Sequence, residues 1–111
     1  MEKPVIINIK HSGDNPVIPL LTCADGFEMS VQASKFHYCE PRVNAASDGY
    51  TKVEVGFPSK EEPLLTPYAE DPNHLTDTVY GYVPAEVVLQ VILKHGGLRR
   101  KSGYYLTAKE S

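Results

Sequence analysis

No run of about 18 or more apolar residues occurs, so the chain offers no helix able to span a membrane. The first ten residues contain Lys3 but no usable apolar stretch, because Asn8 and Lys10 interrupt it. No secretory signal is read there, and a cytoplasmic location is the expectation. There are only two cysteines, Cys23 and Cys39, which in that compartment would be reduced thiols. The phosphate-binding and dinucleotide-binding glycine patterns, the nucleophile-elbow pattern G-x-S-x-G and the pair C-x-x-C are all missing. Several common enzyme classes thereby lose their main support. Basic residues are also scarce where a nucleic-acid binder needs them. The window from Glu61 to Leu93 has no Lys or Arg, and only Arg99, Arg100 and Lys101 form a basic cluster. Affinity for nucleic acid grows with each phosphate neutralised, so three cations argue against it as a partner.

What is present describes a small globular domain. The chain has 111 residues, 41% hydrophobic and 23% charged, with a net charge of −3. This length corresponds to one domain, residues 1–111. Eight glycines and nine prolines argue against a helical bundle and for short strands joined by loops.

Periodicity supplies the elements. Val5–Ile9 is β-branched and reads as a strand. Residues 20–23 and 27–33 flank Ala24-Asp25-Gly26, a strong hairpin signal. Phe27, Met29, Val31 and Ala33 alternate with polar residues, which predicts one buried face. Residues 50–57 alternate likewise through Val53 and Val55, and Tyr104–Ala108 could close the sheet. Residues 84–95 read as a helix, with Pro84 at its first position, Glu86 in its first turn and Gly96-Gly97 beyond its end. Its apolar residues cover most of its circumference, which predicts burial on most sides. The expected fold is therefore α+β: a small antiparallel sheet of four or five strands packed on one C-terminal helix.

Two clusters carry possible chemistry. His37 and Cys39 stand two residues apart and are both zinc-ligand types. A tetrahedral site would need two more ligands from Cys23, His11 and His74. Alternatively, Cys39 could be a nucleophile with His37 as base and Arg42 steadying the thiolate. The ordinary reading is a loop histidine and a buried small thiol. The second cluster is the proline-rich segment 58–82, which shows no periodicity. With its flanks it carries Glu61, Glu62, Glu70, Asp71 and Asp77 among Tyr68, Tyr80 and Tyr82. Tyrosines supply rigid contact area, and an acidic rim steers association with a basic surface. These eight residues form the candidate partner-binding face. The competing reading makes the tyrosines core filler beneath a solvated loop. No cofactor is expected.

Several pieces of the string are similar to a known group: Ser30-Val-Gln-Ala-Ser34 leading into His37-Tyr-Cys-Glu-Pro-Arg42, Val53-Glu-Val-Gly-Phe-Pro-Ser59, Pro67-Tyr-Ala-Glu-Asp-Pro72, Val79-Tyr-Gly-Tyr-Val-Pro-Ala-Glu-Val-Val88 and Lys94-His-Gly-Gly97. Over residues 27–97 the chain resembles small uncharacterised proteins encoded by tailed phages and prophages of enteric bacteria. The resemblance implies a cytoplasmic accessory protein made during infection, in a group with no assigned activity. The partner expected is a host protein, and the acidic segment points to one with a basic surface. The resemblance transfers no functional residue.

Overall fold

The computed structural model describes residues 5–11, 15–99 and 106–110. Strand β1 (Val5–Ile9) pairs antiparallel with the last strand, β6 (Leu106–Glu110), from Val5↔Glu110 to Ile9↔Leu106. These two form a sheet of their own. The other sheet has four antiparallel strands in the order β2 (Leu21–Thr22), β3 (Glu28–Gln32), β4 (Lys52–Gly56) and β5 (Val79–Pro84). Helix α1 (Ala85–Lys94) follows directly. The fold is thus the expected small α+β arrangement. Its outermost strands differ in detail, because the N- and C-terminal strands pair with each other. The two sheets meet where Ile7 and Tyr50 exchange backbone hydrogen bonds of 2.9 and 2.8 Å. The expected closing strand begins at Leu106; residues 104 and 105 lie outside the described residues, as do Arg100 and Lys101.

Local chemistry accounts for each boundary. Pro19, which has no amide hydrogen, precedes the two-residue β2. At the hairpin the Gly26 amide donates to Cys23 O (3.0 Å) and the Cys23 amide to Phe27 O (2.8 Å). Gly26 sits at φ +96°, which closes a three-residue loop of the kind Asp-Gly favours. Asp25 Oδ1 accepts the Phe27 amide at 2.9 Å. Pro84 caps α1 from one position earlier than expected, at ψ 140°, and so also ends β5. At the other end the Gly97 amide reaches Ile92 O (2.8 Å), a bond that requires the left-handed backbone of Gly96.

The alternating positions meet inside. Phe27, Met29, Val31, Val53 and Val55 join Val88, Val91 and Ile92 in one buried cluster, with Val87 packed partly against it. Helix α1 approaches β1, β5 and β6 most closely. It is less enclosed than its composition implied, since Leu93 projects into solvent. Among the described residues no helix is long and apolar enough to cross a membrane.

Strand β5 lies in the segment expected to be an irregular loop. The interruption is a bulge. Val53 faces Val83 and Val55 faces Tyr80, so Gly81 and Tyr82 together oppose Glu54. An extra residue breaks the two-residue alternation that marks a strand.

Candidate binding face

The loop before β5 is fixed at many points. Ser59 donates its amide to Glu28 O (2.8 Å), and its Oγ accepts the Glu28 amide (2.9 Å), which ties the loop to β3. Leu65 is buried, and a single 3-10 turn spans Thr66–Tyr68. Ala69 then bridges to Tyr80, and the Glu70 amide donates to Val79 O (3.0 Å) along the free edge of β5. Thr78 Oγ1 accepts the Asp71 amide at 3.0 Å, and the Tyr80 hydroxyl donates to Leu75 O.

This framework divides the eight candidate residues. Glu61, Glu70, Asp77 and Tyr82 are exposed, while Asp71 and Tyr68 are half-buried. Tyr68 packs against the core, and Asp71 Oδ2 pairs with His74 Nδ1 at 2.8 Å. His74 and the Asn73 amide hold the Asp71 carboxyl below its ordinary range. Glu62 and Tyr80 do not belong to the face, being only 2% and 1% exposed. Tyr80 points inward because it opposes Val55, itself a core position. Burial, then the Glu61 carboxylate, raises the pKa of its hydroxyl.

Three partners hold the Glu62 carboxylate inside. The Leu64 amide (2.9 Å) and Lys94 Nζ (2.9 Å) donate to Oε2, and His95 Nε2 lies 2.8 Å from Oε1. Thr66 Oγ1 also reaches the Glu62 backbone carbonyl. The other imidazole nitrogen, Nδ1, lies 2.6 Å from Asp25 Oδ2. Phe27 stacks on the ring, centroids 4.1 Å apart. Burial alone would raise the Glu62 pKa. The Leu64 amide, Lys94 and His95 outweigh it and hold the carboxyl below its usual value. Asp25 is held low chiefly by the Phe27 amide and by His95.

The structure adds two residues to the exposed face. Segment 34–40 crosses β5 where Gly81 has no side chain. A Cβ there would sit 3.4 Å from Tyr38 Cβ. The Tyr82 amide, turned out of the ladder by the bulge, donates to Tyr38 O (3.1 Å). The two rings lie 5.9 Å apart, and the Arg42 guanidinium stands 5.4 Å from the Tyr38 ring centroid. Tyr82 is 42% exposed and its backbone takes φ +51°, a region disfavoured for a bulky side chain. Along β5 the acidic loop and this ring pair are separated by about 10 Å, from Val79 to Tyr82 at about 3.3 Å per residue. Only Gly81 signals this arrangement in the sequence, since an isolated strand glycine marks a bulge. Nothing there pairs Tyr38 with Tyr82.

The side chains of His37 and Cys39 meet Ser34 rather than each other, although the Cys39 amide donates to His37 O (3.0 Å). Ser34 Oγ lies 2.6 Å from His37 Nδ1, and Cys39 Sγ donates to Ser34 O at 3.1 Å. Burial raises the Cys39 pKa, against the Ser34 contact and Arg42, and burial lowers that of His37. Cys39 is therefore a protonated thiol rather than a poised nucleophile. The proposed further ligands are dispersed. Cys23 is buried at the hairpin, with its pKa pushed up to about 11 by burial and Asp25, and His74 pairs with Asp71. Both cysteines are free and buried. Among the described residues no group of three or more His, Cys, Asp or Glu side chains is placed to hold a metal ion.

Comparison with known protein families, with curated proteins and with solved structures returned no match.

Proposed function

We propose that this is a non-enzymatic binding protein that engages a partner protein bearing a basic surface, in keeping with the phage-like resemblance a host protein. The face is narrower than the sequence suggested: Glu61, Tyr68, Glu70, Asp71, Asp77 and Tyr82, with Tyr38 beside Tyr82. The observation that carries this reading is Tyr82, an exposed aromatic held at positive φ beside a second exposed ring. Backbone strain of this kind costs free energy and clusters at sites that use the side chain it displays. The hydrogen-bonded acidic loop is already in one shape, so little ordering entropy opposes binding. The carboxylates at its edge raise the encounter rate with a basic surface. The reading centred on His37 and Cys39 has no comparable support, because the thiol is buried and bonded to a carbonyl.

The test uses wild type and a Tyr38→Ala/Tyr82→Ala double variant as parallel baits in a host lysate. A host protein retained by wild type, released by salt and lost from the folded double variant supports the reading. A partner held equally by both baits places the binding face elsewhere.

A further inference from the structure

The outward side of β5 carries the parts of the binding face in a fixed order. Residues opposite one another in an antiparallel pair share a face. Ala69 bridges Tyr80, which turns inward, so the next residue, Glu70, falls on the outward side beside Val79. Gly81 follows on that side beneath Tyr38, and then Tyr82 in the bulge. Glu70 is exposed, and its carboxylate has no partner among the described residues. At the ring end the Arg42 guanidinium, 5.4 Å from the Tyr38 ring centroid, offsets the Glu54 carboxylate that accepts the Tyr38 amide (3.2 Å). The uncompensated negative charge therefore lies at the Glu70 end.

The edge of β5 away from β4 is closed to an added strand. The Glu70 amide already occupies Val79 O, and Tyr38 O takes the Tyr82 amide. A partner must be recognised here through side chains rather than by strand addition. The face offers two ring surfaces, inclined by 38° to each other, and two phenol hydroxyls without a partner among the described residues. A phenol hydroxyl donates to a carbonyl. The carbonyls of a helix or sheet are taken up by internal hydrogen bonds, whereas those of a polyproline II segment are all free. The proline rings of such a segment also pack on exposed aromatic surfaces.

The spacing agrees with this choice. From Val79, beside Glu70, to Tyr82 the strand covers about 10 Å at about 3.3 Å per residue. A polyproline II helix returns to the same side every three residues and rises about 3.1 Å per residue, so side chains three positions apart stand about 9 Å apart. A proline on the rings places the residue three positions away at Glu70, where a cation complements the carboxylate.

We propose that this face binds a polyproline II segment of its partner, with a proline on Tyr38 and Tyr82 and an arginine or lysine three positions away at Glu70. The proposal rests on the reading of this face as a binding surface and names the chemistry of what it binds.

The experiment titrates the full chain with synthetic peptides, followed by amide chemical shifts. The first is proline-rich with an arginine three positions from its central proline. In the second that arginine is alanine, in the third it is moved next to the proline, and the fourth is a helical peptide of the same net charge. The first should shift residues 38, 70, 79, 81 and 82 saturably. Tyr82→Ala should weaken it by about tenfold or more, the scale of an interface anchor. Glu70→Lys should weaken it by about fivefold at low salt, the upper scale of an exposed ion pair, and leave the alanine peptide unchanged. Equal binding of the helical peptide, or of the peptide with the displaced arginine, overturns the proposal. If no peptide binds while a lysate protein is still lost from the Tyr38→Ala/Tyr82→Ala bait, the partner's conformation is wrong and the face stands. If that protein is held equally by both baits, the face itself fails.

Discussion

Two clusters of polar and aromatic groups sit at different depths in this molecule and use their chemistry differently. At the C-terminal end of α1, Asp25, Glu62, Lys94 and His95 set two carboxylates against an ammonium and an imidazole, and Phe27 closes the top. Glu62 Oε1 and Oε2 and both nitrogens of His95 have partners there, and among the described residues no buried side-chain polar atom lacks one. On the outer surface, Tyr38, Tyr82 and Arg42 are exposed, with the two rings 5.9 Å apart and the Arg42 guanidinium 5.4 Å from the Tyr38 ring while its Nε donates to Lys35 O. Asp25 and Lys94 keep about half of their side chains exposed, but the buried Glu62–His95 pair has all its polar atoms partnered and contributes to stability. An exposed ring pair contributes little to stability and keeps its contact area for something else. The two clusters should therefore respond oppositely to substitution.

The largest effect belongs to the buried cluster. Glu62→Gln leaves Lys94 and His95 without their carboxylate and should cost about 3 kcal/mol, the scale for removing one partner of a buried pair. Thermal or urea unfolding measures it, and a melting temperature within a degree or two of wild type would sink the assignment. Acid should act on the same groups. The folded carboxyl of Glu62 lies below its ordinary 4.5 and that of Asp25 below its ordinary 3.8. The unfolded chain then binds more protons in this range, so the stability is fully present above those values and is lost as pH falls through the folded ones. The urea midpoint should fall as the pH drops below about 5, and less steeply in Glu62→Gln. An equal slope in the two proteins would remove Glu62 from the account.

The same contrast explains what could be read from the chain. β1, β3, β4 and α1 follow from β-branched runs, two-residue alternation and a helix bounded by Pro84 and Gly96-Gly97, all local signals. Glu62 was indistinguishable from its neighbour Glu61, because its partner His95 is 33 residues away. Only the packed chain makes one a surface charge and the other an interior one. Strand β5 was hidden by its bulge, and with it the inward turn of Tyr80 and the outward turn of Tyr82. Nothing in the sequence marks Tyr38, because segment 34–47 has no period to assign its face.

Effects on the outer surface should appear in binding. Tyr82→Ala or Tyr38→Ala should weaken a partner complex by about 2 kcal/mol, the scale of an interface anchor, mainly through faster dissociation. Glu70→Lys with Asp71→Lys should mainly slow association, and more so at low salt. Surface plasmon resonance at two ionic strengths separates the two effects. A complex indifferent to both sets of changes would return the loop to the role of core cover.

The smallest expected effect is the most discriminating, because the usual destabilisation should be almost absent from it. Most substitutions destabilise a protein, and a tyrosine replaced by glycine in a strand ordinarily does so. Tyr82 is an exception by geometry. Its φ of +51° carries a penalty of about 1 kcal/mol for a side chain with a Cβ, and glycine does not pay it. Against this, glycine gives up the contact with Tyr38 at 5.9 Å and gains unfolded-state entropy. The terms nearly cancel, so Tyr82→Gly should melt within about 1 kcal/mol of wild type, on either side, whereas Tyr82→Ala, which keeps the strain and loses the ring, should be the less stable of the two. Binding should fall equally in both. That pattern, stability set by the backbone and affinity by the ring, is expected only if the strained bulge exists to display the side chain. If Tyr82→Gly is clearly less stable than Tyr82→Ala, the bulge is not strained at this residue, and the argument from backbone geometry to a binding role fails.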